Sequence, residues 1–236
     1  MKSRQAGFTL VEIAIVLVII GLLLGGVLKG QELINSAKVK NMATDFRNIP
    51  LFIYGYQDKY KALPGDHHAV ATAITGATAA TTPTSSGTPA VACTNPSAGS
   101  TCTGNGVIDG TWNTTTTTDE TAQFWSHVRR AGLAAGPIDT ADPQYFPTNA
   151  DGGRMGIESG SAATGGAYIS GMTPTYLICS SGILGKYAKQ LDTTIDDGNT
   201  ATGSMRVVAS NHSRLGAALA TTAVDDSASF IVCMGL

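Results

Sequence analysis

The chain has 236 residues and a formal net charge of -2, and only 14% of its residues are charged, against roughly 25% in ordinary soluble domains. That balance excludes a nucleic-acid surface driven by charge. The length suits one helical stalk and one head of about 170 residues, large enough to bury its own core.

From Phe8 to Leu28 only Thr9, Glu12, Gly21, Gly25 and Gly26 interrupt aliphatic or aromatic residues. As a helix rising about 1.5 Å per residue the run spans roughly 31 Å, the thickness of a bilayer's hydrocarbon core. Lys2 and Arg4 precede it without an acid, which places the amino end in the cytoplasm and the rest of the chain outside. A secretory signal would have a shorter apolar core closed by a small-residue cleavage site. Here Lys29-Gly30-Gln31-Glu32 follows directly, and the small residues Ala6-Gly7 stand in front. Glu12 lies one helical turn past Phe8 and on the same side. An acid within a span costs on the order of 2–3 kcal/mol at the centre and usually has a partner. Two readings of Glu12 stand open: a side chain that snorkels to the cytoplasmic interface, or the partner of a new amino terminus at Phe8 of a neighbouring chain.

The segment GFTLVEIAIVLVIIGLLLGG, with its basic leader, resembles the N-terminal segment of type IV pilins and of the pseudopilins of type II secretion. The resemblance covers about the first 60 residues. It implies that a prepilin peptidase cuts after Gly7, that Phe8 becomes an N-methylated first residue, and that Glu12 guides subunit docking. Many pilins carry a helix-kinking proline just past the apolar run; Leu28-Lys29-Gly30 has none, and Gly25-Gly26 is the alternative flexible point.

Beyond Leu28, Val39, Met42, Phe46, Ile49, Ile53, Tyr56 and Tyr60 recur at steps of three and four, one apolar stripe for packing on a core. Pro50 is expected to kink this helix without ending it. The stop falls near Tyr60-Lys61, before the turn signal Leu63-Pro64-Gly65-Asp66. Residues 75–118 are rich in Thr, Ser, Ala, Gly and Pro and read as an exposed loop. Asp119 to Leu133 predicts a short amphipathic helix, with Asp119 and Glu120 in its first turn, Arg129 and Arg130 in its last, and Gly132 as its stop. Phe124, Trp125 and Val128 would bury against a sheet. This stretch, with Ala62-Leu63-Pro64-Gly65-Asp66, is similar to one found in a proteobacterial subset of prepilin-like proteins. Strands are expected at 168–170, 175–179, 204–209 and 229–234, with one or two helical turns at 186–191. The fold class predicted is α+β: a long N-terminal helix with a mostly antiparallel sheet laid across its C-terminal half.

All four cysteines lie downstream of residue 90, on the exported side, where disulfides form. Four cysteines allow three pairings; the short loop between Cys93 and Cys102 favours pairing those two, which leaves Cys179 with Cys233. No nucleophile elbow, His-Glu-x-x-His or P-loop occurs, so no enzyme is expected. His67-His68, beside Asp66, make a poor metal pair, and His127 and His212 read as surface or packing residues. Asp192, Asp196 and Asp197, followed by Gly198-Asn199, could ligate Ca²⁺ through oxygen. An Asp-Gly turn with solvated acids is the reading the sequence favours, so no cofactor is expected. The expected organisation is a cleaved leader (1–7), a membrane and assembly helix (8–28), its amphipathic continuation (29–60) and an extracytoplasmic head (61–236). The functional expectation is a filament subunit held in a bacterial inner membrane before assembly. Its expected partners are the prepilin peptidase, copies of itself, other pilins or pseudopilins and inner-membrane assembly machinery. A pilus and a secretion pseudopilus both fit; an uncleaved anchor for an adhesive or binding domain is the rival from another class.

Overall fold

The computed structural model describes residues 10–67, 73–77, 106–160 and 166–236. Helix α1 (Leu10–Tyr60) carries 51 residues and passes through Pro50 without a break, about 75 Å at the usual rise. Val39, Met42, Ala43, Phe46, Ile49, Ile53 and Tyr56 are its buried residues, the stripe that the three-four spacing predicts, with Tyr60 half-buried at its end. The helix stops where Lys61 turns left-handed (φ 54°) while its amide still bonds the Gln57 carbonyl at 2.8 Å.

The turn at Leu63–His67 then lies against the start of α2 (Glu120–Arg130). Gly65 adopts φ +97°, and a Cβ there would stand 2.7 Å from the Glu120 carbonyl oxygen, so only glycine lets these segments approach. Helix α2 differs from the amphipathic expectation. Every residue from Glu120 to Arg129 is buried, because the 63–67 turn, the 106–114 segment and the 133–147 segment surround it. Arg129 anchors the last of these: its guanidinium donates to the carbonyls of Ala135 (3.2 Å), Pro137 (2.7 Å) and Tyr145 (2.6 Å). Gly132 (φ +77°) ends the helix, as its sequence position predicts.

Strands β1 (Met155–Ser159), β2 (Tyr176–Leu184), β3 (Met205–Ala209) and β4 (Ser229–Gly235) form one sheet in the order β1-β2-β4-β3, antiparallel throughout. Alternation divides its side chains between two faces. Met155, Ile157, Ile178, Ile183, Met205, Val207, Phe230, Val232 and Met234 join the core shared with α1, α2 and α3 (Gly185–Ile195). Leu177, Cys179, Val208, Ile231 and Cys233 face the other way, against Trp112, Tyr168, Ile169 and Met172. The order of elements is thus a helical layer, a sheet and a cover of loops.

Two strand expectations need correction. The 168–170 segment makes only a single bridge, Ile169 to Gly216; Gly166 and Gly171, both at positive φ, bound it, and Tyr168 and Ile169 pack against the outer face of the sheet instead of extending it. Strand β1 was not expected, since Glu158 and Gly156 break its apolar pattern. Glu158 is 1% exposed and is neutralised by Arg214 at 2.8 Å, a partner 56 residues away.

Cys179 and Cys233 are bonded across the central strand pair, directly opposite in register with Cα atoms 4.1 Å apart. The link closes a separation of 54 residues and ties down the C-terminal strand. Replacing both with Ala is expected to lower stability by about 2–4 kcal/mol, or roughly 5–15 °C in thermal unfolding at this size. A change under 2 °C would show that the strand ladder alone holds β4. The Cys93–Cys102 pairing lies outside the described residues.

Candidate functional site

The first candidate site is the surface of α1. Every residue from Leu10 to Lys29 is exposed, including thirteen aliphatic side chains from Leu10 to Val27 that touch no part of the head. The helix is long and apolar enough to cross a membrane. An exposed apolar surface of this length, interrupted by one acid, is costly in water and calls for lipid or other protein around it. Glu12 lies in the first turn described, the only Asp, Glu, Lys or Arg between Leu10 and Leu28. Gly7 and Phe8 lie outside the described residues.

The second candidate is a polar constellation where α1 ends. The Tyr56 hydroxyl and His67 Nδ1 share a hydrogen bond of 2.7 Å, and the Gly65 amide donates to His127 Nδ1 at 2.9 Å. The Tyr56 and His127 rings stack with centroids 6.1 Å apart. His127 is wholly buried and His67 is 5% exposed, so both act in packing, and neither joins a group of metal-ligating side chains among the described residues. Beside them Glu120 is 2% exposed, and its Oε2 accepts from the Asp109 amide at 2.7 Å. Burial, with lesser contributions from Asp66, Asp109 and Asp119, pushes its carboxyl up to about 8. The sequence places Glu120 in the first turn of the helix; the Asp109 segment that covers it could not be seen from local spacing. His212 is half-buried, its Nε2 2.9 Å from the Tyr168 carbonyl.

The third candidate is the loop after α3, where Asp192, Asp196 and Asp197 converge. Asp192 is wholly buried, which overturns the expectation of three solvated acids: Asp192 sits on the inner face of α3 beside Leu191 and Ala188, both fully buried.

Among the described residues one helix is long and apolar enough to enter a membrane, and it continues into an α+β head tied by a disulfide. Residues 2–28 match the family described as the prokaryotic N-terminal methylation motif, the prepilin-type signal of type IV pilins and pseudopilins. No curated protein and no solved structure matches the chain.

Proposed function

We propose that this chain is the precursor of a filament subunit: a prepilin held in the bacterial inner membrane, cut after Gly7 and polymerised through residues 8–28 into a type IV pilus or pilus-like filament. The observation that carries this reading is the fully exposed apolar helix from Leu10 to Leu28, directly within the matched methylation motif. That motif implies processing by a prepilin peptidase and association with other pilins. Methylation would fall on Phe8, and the Glu12 carboxylate would meet the Phe8 amino group of a neighbouring subunit. Lys2 and Arg4 support an amino end in the cytoplasm, so the head would emerge on the oxidising side where Cys179–Cys233 persists.

A pseudopilus serving type II secretion shares the same N-terminal chemistry. The Thr/Ser-rich composition of residues 75–118 and the disulfide-tied head favour an exposed filament. Mass spectrometry of the protein recovered from membranes and from sheared filaments tests the reading. The mature chain should begin at Phe8 and carry one extra methyl group. An intact Met1, or a cut after residue 25, would contradict it and favour an uncleaved anchor for a binding domain.

A further inference from the structure

At the C-terminal end of α2 stands a guanidinium whose outer nitrogens the fold leaves unused. Arg130 closes the helix and is half-buried. Its Nε donates to the Ser126 hydroxyl, one turn back, at 3.3 Å. Gly76, at φ +75°, lies beside the group, and a Cβ there would stand 2.9 Å from Nη1. A hydrogen bond and a bare stretch of backbone thus fix the side chain. Among the described residues neither Nη1 nor Nη2 has a hydrogen-bond partner, and no carboxylate pairs with the group. Arg129, next to it in the chain, differs, since three backbone carbonyls take up its guanidinium. The negative pole of α2 accounts for a basic residue at this position. It does not account for a fixed fork in a cleft, because a solvated Lys would serve the dipole as well.

The cleft that Arg130 lines has a volume of about 440 Å³, within the roughly 300–1,000 Å³ of small-molecule sites. Its walls are polar. Gln123 and Ser126 come from α2, Thr117 and Thr118 from the segment before it, and Asp139 and Thr140 from the loop after it. The Gln123 amide is held in place by donating to the Thr117 carbonyl at 2.6 Å. Asp139 is exposed and forms no ion pair with Arg130. Its Oδ1 accepts from the Ala141 amide at 2.9 Å, which leaves Oδ2 for another donor.

We propose that this cleft binds a small hydroxylated carboxylate, an acidic sugar of the hexuronate type, with its carboxylate on Arg130 and its hydroxyls among Thr117, Thr140 and Asp139. A planar guanidinium with two unused nitrogens matches a carboxylate in a two-pronged contact. Threonine hydroxyls both donate and accept, and the Asp139 carboxylate accepts, so the remaining walls suit a ring of hydroxyl groups. Asp139 also sets selectivity. A multiply charged phosphate on Arg130 would meet the Asp139 charge within the same cleft, whereas a hexuronate turns only neutral hydroxyls toward it. The inference goes beyond a filament role and does not depend on whether the chain polymerises.

The test uses the full chain in detergent, with sodium glucuronate, glucose and inorganic phosphate as probes and ligand-observed NMR as the readout. Glucuronate should bind saturably with a Kd on the order of 1 mM. Glucose, which lacks the carboxylate, should bind at least about tenfold more weakly. At ten times its Kd, glucuronate should raise the folded-to-unfolded ratio about elevenfold, lifting Tm by roughly 3–5 °C. Arg130→Gln should lose at least about tenfold in affinity, and Arg130→Lys, which keeps the charge without the fork, should fall between. Asp139→Asn, exposed and still able to accept from the Ala141 amide, should raise phosphate affinity; an unchanged value would overturn the selectivity assigned to Asp139. No saturable glucuronate binding up to about 20 mM would overturn the site, as would parental affinity in both Arg130 variants. Phosphate binding as tight as glucuronate in the parent would make this a simple anion site and overturn the sugar assignment.

Discussion

Replacing Glu12 with Ala is expected to abolish or sharply slow filament assembly while leaving membrane insertion, cleavage after Gly7 and the head intact. The span itself should insert as well as before or better, since a polar group that costs on the order of 2–3 kcal/mol in hydrocarbon is removed. The nearest core residue of the head, Val39, lies 27 positions further along α1, so the disulfide and the sheet have no contact to lose. Assembly is different. Each incoming subunit would bring a cationic Phe8 terminus into an apolar bundle, where Glu12 of its neighbour offers the opposite charge. Without that carboxylate the buried cation stands uncompensated, a loss of about 3–5 kcal/mol per subunit when one partner of a buried pair is deleted. Sedimentable filament should fall by at least tenfold against the parent, with Glu12→Asp intermediate because its shorter side chain reaches less far. Normal filament yield from Glu12→Ala, with processing confirmed, would leave packing of the apolar helix as the assembly force. A chain that serves only as an anchor has no such partner, and its surface display would not change.

What the sequence made legible follows the range of the forces involved. The stripe from Val39 to Tyr56 and the stop at Lys61 were readable because helix periodicity and turn residues are local signals. Three of the four strands were readable because Val, Ile and aromatic residues cluster in them between glycines. Strand β1 was not, because Glu158 looks like a surface residue until Arg214 is brought beside it. Helix α2 was readable as an amphipathic helix, but the burial of its polar residues was not. Burial of Glu120, Gln123 and His127 is created by the 63–67 and 106–114 segments folding over them, and no spacing within α2 reports that. The acidic loop divides the same way. Its composition was visible as a possible Ca²⁺ ligand set, whereas the burial of Asp192 is a tertiary fact.

Raising the pH from about 5 to 9 is expected to weaken the head through Glu120, and Glu120→Gln is expected to remove that weakening. The carboxyl is covered by the 106–110 segment and the 63–67 turn, and the ionised form is disfavoured first by burial and then by the charges of Asp66, Asp109 and Asp119. Its folded-state value, about 8, lies above the ordinary 4.5. A proton is therefore held more tightly in the folded chain than in the unfolded one. The stabilisation this supplies is fully present below about pH 4.5 and is lost as pH rises through the folded-state value. At about 1.4 kcal/mol per pH unit of separation the total is on the order of 5 kcal/mol. Asp192, pushed up to about 6, acts with the same sign, as do Asp45 and Glu158, whose carboxyls burial also pushes up, so the comparison of parent with variant is what isolates Glu120. Gln keeps the acceptor that meets the Asp109 amide at 2.7 Å in the parent and cannot ionise. Chemical unfolding of the full chain in detergent at pH 5, 7 and 9 should show the parent losing stability across the series. Glu120→Gln should match it at pH 5 and exceed it at pH 9, because the difference between the two proteins cancels every other titrating group. Parallel pH profiles for parent and variant would mean that the 106–110 segment opens and hydrates Glu120 before it ionises, and the burial argument would fail.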